Sequence, residues 1–267
     1  VISIRQFARI ARSQRRILPL LILIAAAWQS LYTFILSSSS LRELMEAYMT
    51  LMPPVFRRFL SLTGAGFSAQ QFLAFGFTHP SMLFVLIFVP VAISSRFITG
   101  EIEGRSVEIL ALRIFPKRRL VGSAWLFTLF AHTLIFAGMM TGSMVTQQMS
   151  GLKDGLPWQD LWRIVLTGLL FFTAVNSMVT ALATLFSARG RAMAWSIGFL
   201  LSAFIFDALV KVWEQADFLK PWSLFHWYQP VDVVNGKYDY GTAVILLSLL
   251  MVLPLIWALE HFEKRDI

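Results

Sequence analysis

The residues of this sequence that could do chemistry are few and scattered. The only Gly-Lys pair, Gly236-Lys237, is followed by Tyr238 and preceded by Val231, where a phosphate-cradling loop needs another glycine. Backbone amides cannot wrap phosphates there, so the chain is not expected to bind ATP by that route. His79, His132, His226 and His261 include no pair four residues apart with an intervening Glu, the spacing that turns two imidazoles toward one zinc ion. There is no Gly-X-Ser-Gly motif for an intramembrane serine protease and no cysteine for a disulfide or thiolate site. No catalytic set and no metal set emerges, and an enzyme is not expected. Two ionisable groups inside apolar runs remain, His132 and Asp207. Such groups are functional candidates by default, as proton relays for example. Hydrogen-bonded packing is the plainer reading of His132, and a surface ion pair with Lys211, four residues on, is the plainer reading of Asp207.

The elements that would position these groups are membrane spans. Of 267 residues 57% are hydrophobic and 14% charged, against roughly 45–50% and 25% in soluble domains. Six segments have the length and apolarity to cross a bilayer: about Ile17 to Leu36, Met82 to Ile98, Leu120 to Val145, Ile164 to Phe186, Ala192 to Val212, and Gly241 to Leu259. The fifth is the weakest, because Asp207 and Lys211 interrupt it. In the third, Gly138 and Gly142 form a small-residue pair that permits close helix approach, although the pattern is common by chance. The formal charge of +8 divides by side. Arg5, Arg9, Arg12, Arg15 and Arg16, the second connection from Arg96 to Arg119, Arg189 and Arg191, and Lys264 and Arg265 hold nearly twice the basic residues of the alternate connections. Both termini are therefore expected in the cytoplasm. Val1 to Ala27 also has the outline of a secretory signal, but its apolar run continues through Trp28, Leu31, Tyr32, Phe34 and Leu36.

Within one transmembrane domain, 1–267, three connections carry patterns of their own. Residues 1–16 place Arg5, Arg9, Arg12 and Arg16 on one helical face and Phe7, Ile10, Ala11 and Ile17 on another, as in a helix lying at the membrane surface. Residues 37–81, broken at Pro53-Pro54, read as two short amphipathic helices on the outer leaflet. Residues 213–240 hold Trp213, Phe218, Trp222, Phe225, Trp227, Tyr228, Tyr238 and Tyr240, rings that favour the interface, and read as short or re-entrant helices.

The connection 99–119 is the most specific. It runs Thr99-Gly100-Glu101-Ile102-Glu103-Gly104-Arg105-Ser106-Val107-Glu108-Ile109-Leu110-Ala111-Leu112-Arg113-Ile114-Phe115-Pro116-Lys117-Arg118-Arg119. Val107 to Phe115 is apolar yet too short to span, with Ser106 placed as a cap, Glu108 in the first turn and Pro116 as a stop. This spacing predicts a two-turn helix outside the membrane that needs another protein surface to cover it.

Here the chain resembles the permease subunits of the ABC transporter type-2 exporter superfamily. The matching residues are Glu101, Glu103, Gly104, Glu108, Leu110, Leu112, Pro116, Arg118 and Arg119, with Ser106 one place from the usual Thr. Further likeness lies in the basic N-terminal helix, the outer Pro-Pro helix with Phe72-Leu73-Ala74-Phe75, the Trp222 to Gly236 stretch and the closing Phe262-Glu263-Lys264-Arg265-Asp266-Ile267. Arg105, Arg113 and Phe115 depart from the pattern. The resemblance implies an all-α polytopic protein with six transmembrane helices and a short coupling helix between helices 2 and 3. It implies that Glu101, Glu103, Gly104, Arg105, Ser106, Val107, Glu108, Leu110, Ala111, Ile114 and Pro116 meet a cytoplasmic ATP-binding subunit, present in two copies, which holds the ATP and magnesium; no cofactor is expected in this chain. A second, identical permease protomer, surrounding lipid and no nucleic acid complete the implied partners, in the plasma (inner) membrane of a prokaryote. The second and fifth spans would flank the path of a hydrophobic or amphipathic substrate for export, with Phe84, Phe88, Trp195, Phe199, Ser202 and Phe206 as candidate contacts. The alternative is a secondary transporter or channel-like bundle, which would use His132 and Asp207.

Overall fold

The structure is a computed structural model that describes residues 2–59, 68–104 and 116–265. Among these residues it is all-helical, and six helical stretches are long and apolar enough to cross a membrane. The helices are α1 (Ile4–Gln14), α2 (Ile17–Ser37), α3 (Ser39–Leu51), α4 (Pro54–Phe59), α5 (Ala69–Phe75), α6 (Pro80–Ser94) and α7 (Gly100–Glu103). They continue with α8 (Arg118–Ser150), α9 (Trp158–Leu185), α10 (Arg189–Val212), α11 (Pro230–Val234) and α12 (Tyr240–Lys264). Two 3-10 segments, Glu214–Trp222 and Leu224–Trp227, lie between α10 and α11.

The centre of the bundle is α9, flanked by α8, α6 and α12. Its Phe171, Phe172, Val175 and Val179 are fully buried, while the long faces of α10 and α12 stay largely exposed. Several polar groups in this core are paired across helices. The Asn176 amide donates to the Trp125 carbonyl (3.0 Å), the Trp125 indole donates to Ser177 Oγ (2.9 Å), and Ser94 and Thr180 share a hydroxyl bond (3.2 Å). Interhelical bonds of this kind fix which helix faces meet where apolar packing alone discriminates poorly. His132 belongs to this layer: it is fully buried, its Nε2 lies 2.9 Å from the Leu86 carbonyl, and its ring packs on Phe172.

The small-residue pair of the third span is a helix contact. A Cβ on Gly138 would lie 2.9 Å from the Ile22 carbonyl oxygen, and one on Gly142 would collide with the Ala26 carbonyl. Helices α2 and α8 run in parallel with their backbones in contact, and Ser30 Oγ donates to the Gly142 carbonyl (3.1 Å). Chance therefore does not account for this pair, since only hydrogen fits where α2 passes.

The stretch before α6 also differs from a pair of surface helices. After α3 and α4, a third helix, α5, enters the core: Phe72, Leu73, Ala74 and Phe75 are buried. The chain unwinds at Gly76 to His79 before Pro80 starts α6. The freed carbonyls are met from other elements, Leu73 by the Gln29 amide (2.9 Å), Gly76 by the Trp28 indole (3.2 Å) and Phe77 by the Tyr228 hydroxyl (3.4 Å). Irregular backbone is tolerated inside an apolar bundle only with such partners.

The helix contact leads to a stability test. Gly142→Val forces α2 and α8 apart, and overpacking typically costs about 1–3 kcal/mol. Its melting temperature in detergent is expected to fall clearly, whereas Gly198→Ala, where a Cβ meets no atom within 4 Å, should not lower it. Equal melting of Gly142→Val and the parent chain would contradict the close approach.

Candidate functional site

The polar ends of the bundle carry the candidate sites. At one end, α1, the end of α6, α7 and the starts of α8 and α10 converge with the end of α12. Both described chain ends lie here, since Ser3 is bonded to Ser123 and Arg265 to Lys117.

Helix α1 is held by its apolar face. Ser3 caps it, Ile10 is buried, and Phe7 meets Phe127 and Phe130 edge-on at 5.4 and 5.8 Å. Its polar face then turns Arg9 toward α7. Arg9 Nη2 lies 2.6 Å from Oε1 of Glu101, whose side chain is only 7% exposed. The second carboxylate oxygen, Oε2, is buried without a hydrogen-bond partner.

Glu101 reaches this position through a π-helical turn, Ser95–Thr99, inserted between α6 and α7. One inserted residue rotates everything beyond it by about 100° relative to a continuous α-helix. The turn directs Thr99 to the Ala183 carbonyl on α9 (2.8 Å), so that Glu101 faces α1. Glu103 then accepts the backbone N–H of Arg189 at the start of α10 (3.1 Å).

Gly104 and Pro116 bound the predicted coupling segment, whose residues Arg105, Ser106, Val107, Glu108, Leu110, Ala111 and Ile114 lie outside the described residues. The far bound is braced as well. Glu263 accepts the Arg118 N–H (2.8 Å), and Lys117 Nζ donates to the Arg265 carbonyl (2.7 Å). Arg265 itself donates to the carbonyls of Thr184 (2.6 Å) and Phe186 (3.1 Å), which close α9. The stretch thus leaves and re-enters a frame tied to α1, α9, α10 and α12.

A cleft of about 450 Å³ opens beside this frame, lined by Arg9, Arg96, Glu101, Glu103 and Arg189 among others. In the sequence Arg96 and Arg189 bear on topology alone, and Arg9 on topology and the basic face of the first helix. Spacing cannot show that Arg9 meets a carboxylate 92 residues away.

The candidate path residues stand on outer faces. Phe84 and Phe88 stack on each other (6.2 Å) and are 69% and 44% exposed. Trp195, Phe199, Ser202 and Phe206 share the exposed side of α10, and Trp195 stacks on Phe186. Among the described residues no ring contact joins the two groups within one chain.

At the other end Asp207 is buried, not at the surface. Its Oδ2 pairs with Lys211 Nζ (2.7 Å) and its Oδ1 accepts from Ser223 Oγ (2.5 Å), a residue of the last connection that folds over it. Burial lowers the nearby His226 and raises Asp232 from their ordinary values. The aromatics of this connection divide by role. Phe225, Trp227 and Tyr228 are buried in the core, whereas Trp213, Phe218 and Trp222 point outward. Among the described residues no group of three or more His, Asp or Glu converges as a metal site.

Asp207 offers a second test. Asp207→Ala leaves the Lys211 ammonium poorly solvated, and breaking a buried pair typically costs about 3–5 kcal/mol. A large drop in detergent melting temperature is expected, partly recovered by adding Lys211→Met; an unchanged melt would show the pair to be solvated. Set against known protein families, characterised proteins and solved structures, the chain matches none.

Proposed function

We propose that the chain is the permease subunit of an ATP-driven exporter of the ABC type-2 kind. It would work as a dimer with two separate ATP-binding subunits and extrude a hydrophobic or amphipathic substrate. The observation that supports this reading best is the bracing of Glu101 and Glu103 directly before the segment that carries the apolar run Val107 to Phe115. A cytoplasmic lever must be stiff where it joins the spans. Closure of an ATPase dimer on the segment would then be carried into α1 and α10 as rigid-body movement instead of being lost in a slack loop. Chemistry on ATP would belong to the partner, because this sequence lacks a phosphate-cradling loop.

Phe84, Phe88 and the α10 stripe fit this reading as surfaces that a second protomer would enclose. A secondary transporter remains the other reading. It is favoured by the buried His132, whose Nδ1 has no hydrogen-bond partner. Its mark would be transport driven by a proton gradient without ATP.

The decisive measurement is co-purification and substrate-stimulated ATPase activity with a separate ATP-binding protein co-expressed with this chain. Leu110→Ala should weaken association far more than Arg119→Ala, since truncating a buried Leu costs about 2–5 kcal/mol. Leu110→Asp should abolish coupling. Glu101→Lys should lose transport while the complex stays intact, and the swap Arg9→Glu with Glu101→Lys should recover part of it. Full coupling in Leu110→Asp would overturn the proposal.

A further inference from the structure

Arg96 and Arg189 line two spaces at once. One is the polar cleft beside Glu101. The other is a groove of about 180 Å³ between α2, α6 and α8, walled by Leu18, Leu21, Phe88, Ala92, Phe127 and Ala131. The groove's charged lining is Arg96 and Arg189 alone; no carboxylate borders it. Glu101 and Glu103 border the cleft, but Glu101 is engaged by Arg9 and Glu103 by the Arg189 N–H. Among the described residues neither guanidinium has a carboxylate within salt-bridge distance, and the Arg96 guanidinium rests over the Phe97 ring at 5.3 Å.

Both arginines sit where the apolar runs of α6 and α10 give way to charged sequence. That is the depth of lipid phosphates for a helix of spanning length. A narrow apolar groove that ends in two guanidiniums without a salt-bridge partner complements a ligand with an anionic head and a hydrocarbon tail. We infer that this is a binding site for an anionic glycerophospholipid, with its phosphate between Arg96 and Arg189 and one acyl chain along α2, α6 and α8. The inference goes beyond the exporter reading and needs only that the six long helices sit in a bilayer.

The test uses the full chain purified in a non-ionic detergent, with phosphatidylglycerol or phosphatidylcholine of the same acyl chains added and retained lipid read by native mass spectrometry. Phosphatidylglycerol should be retained about tenfold more strongly, in keeping with two basic side chains at headgroup depth. Arg96→Gln with Arg189→Gln should remove that preference, and Arg5→Gln, off the groove, should keep it. Ala92→Phe, which fills the groove, should release phosphatidylglycerol. Equal retention of both lipids by the parent chain overturns the site without any variant. Displacement of phosphatidylglycerol by millimolar inorganic phosphate would also overturn it, because the arginines would then hold a free anion. So would a preference that survives in a folded Arg96→Gln, Arg189→Gln chain.

Discussion

A carbonyl released from its helix inside an apolar bundle has no water to turn to, and the architecture around α5 and α6 follows from that constraint. The chain unwinds at Gly76 to His79; the Gly76 and Phe77 carbonyls there are met by Trp28 of α2 and Tyr228 of the last connection, and that of Leu73, in the last turn of α5, by Gln29 of α2. Those donors tie elements distant in sequence to one turn. An alternative arrangement of α2 or of the last connection would leave those carbonyls bare, at a cost of several kcal/mol each in lipid. The aromatic packing of Tyr32 on Phe72, and of Tyr228 on Phe171, then fills space already set by hydrogen bonds.

The opposite end obeys the same rule with charged donors. Arg265 supplies the last carbonyls of α9, Lys117 supplies that of Arg265, and Glu263 accepts from the first turn of α8. The π-helical turn adds orientation, delivering Thr99 to α9 and Glu101 to α1. Gly104 and Pro116 are thus positioned by several independent contacts to α1, α9, α10 and the end of α12.

The six long helices were legible in the sequence because charge-free runs of that length have few other solutions, and the helix at Ile4–Gln14 was legible from its two-faced pattern. Burial of Asp207 was not. The i, i+4 spacing gives the partner Lys211, but the cover comes from Ser223, beyond the end of that helix. Gly138 and Gly142 have a spacing too common to name a partner, and only the path of α2 gives it meaning. The π-helical turn has no compositional mark, so the orientation of Glu101 could not be foreseen. For Phe84, Phe88 and the α10 stripe the period gave the face, while nothing in a period says what covers it. The apolar segment after Gly104 lies outside the described residues, and its reading rests on the residues themselves.

Arg265 and Thr184 are 81 residues apart along the chain, yet one closes the helix that the other ends. During synthesis at about 5–20 residues per second, the carbonyl end of α9 therefore waits roughly 4–16 s for its guanidinium. Through that interval Thr99 can already meet the Ala183 carbonyl of α9, but the Thr184 and Phe186 carbonyls lack the guanidinium that closes the helix. Closure of α9 is thus a late step: the central helix is capped by a residue that follows α12.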